Sequence, residues 1–318
     1  MKFHLKIKDD EDEEVAPEKW NRIRNNDPSV THLVIRPTDD PEPSFYQNLA
    51  EALQYNTNIT LLRIDSNTFA EWCIPNDNFL PIFESSNYIE TLEIHTFKLP
   101  VHDEVFRSFV KSKNNKIAKL QMHLTKECVE LLTTFLSANV MIENQILTLI
   151  LQRTIGTEAA SKISEELIPS KSIKELFLHY GGSRCVSPAT FRPLMEAIGT
   201  IRSLESLSIE LYDFDHIDIN LIASLEKSLF NKKKLKFLSL EMNDIELQDL
   251  QKLALAIQKL PSLEALLFHA SIRNPPNNVI IEDVIKKRFT MISNKYKLTC
   301  NVYGKWFQVY YPRPKWGI

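Results

Sequence analysis

The sequence predicts an α/β solenoid, with short parallel strands on one face and helices on the other. A six-residue apolar pattern with the spacing LxxLxL returns nine times, at steps of 27 to 31 residues. Helical apolar patterns lie between many successive copies. A fixed period of this length is typical of repeat proteins, in which each repeat packs on its neighbours and the array acts as one unit.

The clearest copy begins at Leu235 with LKFLSL and continues into a helical run from Leu247 to Leu260. The three apolar residues of each copy are expected to point inward, and the residues between them to face solvent. Because helices are wider than strands, the stack should curve into a horseshoe with the parallel β-sheet on its concave face and the helices on its convex face. The copies begin at Val30, Ile59, Ile89, Ile117, Ile146, Ile173, Leu204, Leu235 and Leu263.

These residues resemble the leucine-rich repeat family, and specifically its ribonuclease-inhibitor-like subfamily, whose repeats have about this length and contain a full helix. The resemblance covers residues 30–273, and the segment LSLEMNDIELQDLQKLALAI matches it best. The Asn position typical of the family keeps its residue only at Asn67 and Asn243. We therefore expect irregular turns in the other repeats, where other polar groups must satisfy the backbone.

The segments outside the repeats are predicted to cover the two ends of the array. Residues 1–29 are interpreted as an N-terminal cap with a short strand, an acidic run and a helix. Residues 274–318 are interpreted as a C-terminal cap built from a helix and a β-hairpin at Gly304. Within it, residues 284–318 hold eight Lys or Arg, several aromatic residues and no Asp or Glu. This leaves two interpretations: a cap alone, or a cap that also docks on an anionic membrane or nucleic acid.

Composition favours a cytoplasmic protein from a reducing compartment. The net charge of −3 is too small to indicate nucleic acid binding. The sequence contains no run of about 18 apolar residues, so we predict no membrane span. We also predict no signal peptide. The four cysteines are far apart and form no CxxC, which argues against a zinc site or a disulfide framework. The Asn- and Lys-rich character is compatible with a secreted bacterial effector acting in a host cytosol.

Apolar residues expected on the concave face are the first candidates for a partner-binding site. Most positions between the inward-facing residues are polar, but Leu147, Ile150 and Phe177 are not, and neither are Phe237 and Leu267 further on. Clustered exposed apolar side chains favour contact with another protein, although a folded-over loop would also explain them. The residues predicted to bind a partner are Leu147, Ile150, Phe177, His179, Glu210, Phe237 and Glu241.

One position of the repeat, directly after the third apolar residue, contains four of the eight histidines. His95 and His123 lie there on neighbouring repeats, with Glu93 nearby, an arrangement that suits a metal ion or a pH response. Two histidines are too few for a closed metal site. Surface histidines without a shared role are therefore the other interpretation, and no metal or cofactor is predicted.

No catalytic constellation is visible in the sequence. The 45 residues after the repeats are too few for the ubiquitin ligase domain that some leucine-rich repeat effectors carry. Residues 1–29 are shorter than an F-box, and six glycines leave little room for a phosphate-binding loop. We therefore predict a non-enzymatic scaffold that binds another protein through its concave face.

Overall fold

Parallel strands that follow chain order are the main feature of the computed structural model. The chain divides into two units, residues 1–148 and residues 149–318. The acidic run, Asn67 and the last predicted helix lie outside the part of the chain that the structure describes. That part comprises residues 17–35, 43–65, 85, 88–95, 117–124, 129–138, 145–151, 155–170, 172–180, 188–211, 219–230, 232–272, 299–303 and 306–310.

In the first unit, four strands pair in parallel and in chain order. The second leucine of each LxxLxL pattern aligns with that of the next strand, and these leucines are completely buried. The repeat spacing therefore produces one continuous apolar row. The described elements are α1 (Pro17–Arg24), β1 (His32–Ile35), α2 (Pro43–Gln54), β2 (Leu61–Asp65), β3 (Thr91–His95), β4 (Lys119–Leu124) and α3 (Val129–Ala138).

The strand β5 (Gln145–Leu151) contains the boundary between the units and departs from the predicted register. Buried and partly exposed side chains alternate strictly along its seven residues. Leu147 is therefore 1% exposed, while Ile146 faces the other side. The prediction that Leu147 lies exposed between inward-facing residues is wrong. An unkinked strand places every second side chain on the same face, so Leu147 joins Leu149 and Leu151 in the core.

The second unit continues the alternation of helix and strand. Its helices pack in chain order, α4 on α5, α5 on α6 and α6 on α7. A Cβ atom at Gly199 would lie 3.3 Å from the Cα of Ser228, so the absence of a side chain permits the close approach of α5 and α6. The described elements are α4 (Thr157–Leu167), β6 (Ile173–Tyr180), α5 (Pro188–Thr200), β7 (Ser206–Leu211), α6 (Ile219–Leu229), β8 (Phe237–Ile245), α7 (Leu247–Gln258), β9 (Ala265–Ile272), β10 (Thr299–Tyr303) and β11 (Trp306–Tyr310).

The sheet of the second unit has two buried rows on its helix side. Strands β6 to β9 pair in parallel, and β11 then pairs antiparallel with both β9 and β10. The register fixes which side chains pack beside one another on the core side. One buried row is Leu176, Leu207, Leu238 and Leu266, and the other is Leu178, Ile209, Leu240 and Phe268.

Buried polar side chains satisfy backbone groups in two of the turns that precede strands. Asn56 is 3% exposed, and its amide donates to the carbonyl of Ile23 at 2.9 Å. Lys232 is 2% exposed, and its ammonium donates to the carbonyls of Ile198 and Ile201. Each polar residue precedes the first apolar residue of its repeat by three positions, so different side chains perform one structural task.

The predicted fold class is confirmed: the chain is an α/β protein with the strand–helix repeats and parallel strand order of a leucine-rich repeat fold. Predicted helical patterns in the described residues coincide with helices, as at residues 158–167 and 221–229. No helix within the described ranges is long and apolar enough to cross a membrane.

Candidate binding face

The site lies on the side of the second unit's sheet that its helices do not cover, which we call the open face. It consists of the partly exposed side chains of β6 to β9 and of the residues directly before these strands. Along β6, Leu176 and Leu178 are buried, whereas Phe177 and His179 are partly exposed. This alternation is the expected result of a pleated strand with one face packed on helices.

At the amino-terminal ends of the strands, Lys174, Glu205, Lys236 and Glu264 form a row that we call the charge ladder. Backbone amides connect them in sequence, because Glu205, Lys236 and Glu264 each donate to the carbonyl of the preceding member. Nζ of Lys174 donates to Oε1 of Glu205 at 3.0 Å, and Nζ of Lys236 donates to Oε2 at 2.6 Å. Both carboxylate oxygens of Glu205 are therefore bound by cations.

The ion pairs of the charge ladder stabilise its charged forms. Hydrogen bonds from Lys236 and then Lys174 hold the pKa of the Glu205 carboxyl below its ordinary value of 4.5. The hydrogen bond to Glu205 raises the pKa of the Lys236 ammonium, and the charge of Glu264 acts in the same direction. Positive and negative side chains alternate across the strands, so each charge has an opposite charge beside it.

At the carboxyl-terminal half of the strands, His179, Glu210, Glu241 and His269 form a second row, the His–Glu row. Each is the register partner of the next, on β6, β7, β8 and β9. Nδ1 of His179 hydrogen-bonds to Oε2 of Glu210, and Nδ1 of His269 lies 3.5 Å from Oε2 of Glu241. The two glutamates face each other across neighbouring strands, which are about 4.8 Å apart.

The carboxyl group of Glu241 is the least exposed of these side chains, at 15%. Burial raises its pKa, and the negative charge of Glu210 raises it further. The hydrogen bond and charge of His269, together with the charge of His179, oppose this shift. Burial and the neighbouring carboxylate thus disfavour the charged form of Glu241, and the two histidines offset this effect only in part.

Between these rows, Phe177, Ser208, Ser239 and Leu267 are register partners across the four strands, and we call them the central row. Ser208 and Ser239 are 6% and 4% exposed, whereas Phe177 and Leu267 are partly exposed. Phe237 adds a further partly exposed aromatic ring, on β8. Two small residues therefore lie between larger apolar ones.

The structure brings several of the predicted partner-binding residues onto the open face. His179, Glu210 and Glu241 are consecutive members of one row, and Phe177 and Phe237 are partly exposed on the same face. Ile150 is partly exposed on β5, while Leu147 is buried. The side chains of His95 and His123 lie outside the described part of the structure.

The predicted set omits His269 and the whole charge ladder. His269 occupies the same repeat position as His179, Glu210 and Glu241, so comparing that position across all nine repeats identifies the complete row. The ladder is visible in the same way, as Lys, Glu, Lys and Glu at the second position of successive repeats.

Metal binding receives no geometric support here. Among the residues that the structure describes, no group of three or more His, Cys, Asp or Glu side chains is arranged to hold a metal ion. In the His–Glu row each histidine instead contacts a carboxylate.

The strand order and the buried leucine rows define a protein of the leucine-rich repeat fold class. No protein-family model matches the sequence, and no curated protein is similar to it. Similar solved structures include the leucine-rich repeat-containing protein LegL7 from Legionella pneumophila, which is 14% identical with a TM-score of 0.41 and covers 81% of this chain and 90% of that chain. Another is the actin-binding site 2 of leiomodin-1, which is 13% identical with a TM-score of 0.22 and covers 67% and 88%. At these TM-scores neither likeness carries an argument about function.

Proposed function

We propose that the chain is a non-enzymatic protein-interaction scaffold that binds a partner protein through the open face of its second unit. The observation that carries this proposal is the placement of Phe177, Phe237 and Leu267, which are partly exposed between charged rows. Apolar contacts surrounded by polar and charged groups are typical of protein interfaces. Leu147 is excluded because it is buried. The residues proposed to contact the partner are Phe177, His179, Glu210, Phe237 and Glu241 on the open face, together with Ile150 on β5.

The test is affinity purification with mass spectrometry, comparing the native chain with Phe177→Asp. A carboxylate at this partly exposed position leaves the core unchanged but removes an apolar contact and adds a charge. We expect the specific partner to be lost from the variant, with the circular dichroism spectrum and urea midpoint unchanged.

The matched control is Leu255→Asp, because Leu255 is 40% exposed but lies on α7, away from the open face. It likewise replaces an apolar side chain with a carboxylate, but on the helix side, and should retain the partner. Equal retention in both variants, or equal loss from both, would contradict a site on the open face.

We further propose that the chain belongs to the ribonuclease-inhibitor-like subfamily and acts in a cytosol, as a secreted bacterial effector in a host cell. The support is the repeat length, the helix after each of the strands β5 to β8 and the four dispersed cysteines. Detection of the chain in the host cytosolic fraction during infection tests the location. Its confinement to the bacterial cell would contradict the effector role.

A second candidate function is docking on an anionic membrane or nucleic acid through residues 284–318. It is favoured by eight cationic and no acidic residues in this segment. Such binding should weaken steeply as salt rises. Titration with anionic vesicles and with single-stranded RNA tests it, and no binding to either at low salt would eliminate this function.

A further inference from the structure

Lysines bind the carboxylate at one end of the open face, whereas histidines contact the carboxylates at the other. In the charge ladder, both oxygens of Glu205 bind lysine ammonium groups. In the His–Glu row, Glu210 and Glu241 are direct register partners, so two carboxylates occupy neighbouring strands. Each of these carboxylates contacts a histidine, and the described β6 to β9 register places no lysine or arginine beside them.

The environment of the Glu241 carboxyl group indicates whether a positive or a negative group would bind beside it. Its carboxyl is largely shielded from water and repelled by Glu210, and both effects raise its pKa. A cation placed between the two carboxylates would interact favourably with both, and a nearby anion would be repelled. The open face is therefore electrostatically complementary to a positive group.

The side chains around the two carboxylates indicate which kind of positive group fits there. On β7 and β8, Ser208 and Ser239 precede the glutamates by two positions and are small, whereas Phe177 and Leu267 flank them. A guanidinium is planar and presents several N–H donors in a fork that matches carboxylate oxygens. Its aliphatic stem packs well on apolar side chains, so arginine fits both features.

We propose that the open face docks an arginine-bearing, basic segment of the partner protein, with one guanidinium between Glu210 and Glu241. This inference rests on the proposed scaffold function and names the chemistry of its partner. The apolar side chains Phe177 and Leu267 contact the stem and neighbouring residues of the segment.

The first test uses N-acetyl-arginine methylamide as a probe, and its neutral counterpart N-acetyl-citrulline methylamide as the control ligand. Citrulline has nearly the same shape as arginine but lacks the positive charge. Binding is followed by nuclear magnetic resonance of the histidine rings, because His179 and His269 contact the two carboxylates. We expect saturable shifts of two ring signals with the arginine probe and none with the citrulline probe.

The protein variants separate the two rows. In a Glu210→Gln, Glu241→Gln double variant, affinity for the arginine probe should fall at least tenfold, since both charge-assisted hydrogen bonds are lost. The control Glu205→Gln removes a carboxylate from the charge ladder and should leave the affinity unchanged. Equal response to both probes, no saturable shift, or undiminished binding by the double variant would overturn the inference.

Partner capture with the same variants distinguishes this inference from the scaffold function. If Phe177→Asp loses the partner but the double glutamine variant retains it, the scaffold function stands and the arginine inference fails. If the arginine probe binds as expected but Phe177→Asp retains the partner, the guanidinium site stands and the proposed scaffold surface fails.

Discussion

The charge ladder and the His–Glu row lie at the two ends of the same four strands, yet their charged side chains are arranged differently. In the ladder, lysine and glutamate alternate across strands, and hydrogen bonds hold the pKa of Glu205 low. In the His–Glu row, two glutamates are neighbours, and burial and repulsion raise the pKa of Glu241. The cations of the first row favour the charged form of its glutamate, whereas the surroundings of Glu241 disfavour its charged form. This difference is the basis for proposing that the second row, and not the first, binds a partner.

The core beneath both rows should have the largest effect on stability. Leu240 is completely buried next to Glu241, so Leu240→Ala should lower the free energy of unfolding by about 3 kcal/mol through lost burial and a cavity. Urea titration measures this loss, and Leu255→Ala at an exposed helix position should lose much less. Similar losses for the two variants would mean that the rows do not share a tightly packed support.

Breaking the charge ladder should have the next largest effect. Glu205→Gln removes the anion that holds both lysines, and we expect it to lower the free energy of unfolding by about 1 kcal/mol at low salt. Because the side chains are partly exposed, the loss should shrink when salt screens the ion pairs. A salt-independent loss would show that hydrogen-bond geometry, rather than charge, makes Glu205 important.

The equivalent substitution in the His–Glu row should leave the free energy of unfolding unchanged or raise it. Glu241→Gln removes a largely shielded carboxyl group and its repulsion from Glu210, while the amide keeps the side chain's shape. The free energy of unfolding at neutral pH should stay the same or rise by less than about 1 kcal/mol. A loss as large as that of Glu205→Gln would contradict the contrast between the rows.

Lowering the pH should have the smallest effect on stability, but the effect should have opposite signs for the two rows. The raised pKa of Glu241 means that the folded state binds a proton before the unfolded state as pH falls, so its contribution to stability increases through that range. The lowered pKa of Glu205 acts in reverse: its stabilisation is present above 4.5 and is lost as pH falls through the folded-state pKa. Unfolding titrations of each glutamine variant against the native chain from about pH 7 to about pH 3, at roughly half-unit steps, measure both signs. Equal signs would refute the comparison.

Most of the fold follows from apolar periodicity, because burial in each repeat is decided locally. LxxLxL at Leu235 and the helical run after it correspond to β8 and α7. The exception is β5, where Ile146 and Leu147 each fit an apolar periodicity. A shift of one residue exchanges the two faces, and only packing against neighbouring strands selects between them.

The candidate site was predictable in part. Repeat position alone places His179, Glu210 and Glu241 in one row, because parallel register aligns equivalent residues. Which oxygen pairs with which nitrogen depends on side-chain rotamers and burial, and neither has a sequence pattern. The burial of Lys232 could not be predicted either, because the segment NKKK at residues 231–234 has the composition of an ordinary polar turn.

That buried lysine gives the molecule an internal chemical reporter. Burial lowers the pKa of the Lys232 amine to about 8, and this shift is lost when the amine becomes exposed to water. Its two carbonyl acceptors and 2% exposure shield it from reagents while the turn before β8 is closed. The rate at which an acylating reagent modifies Lys232 therefore measures how often this segment opens, without unfolding the rest of the chain.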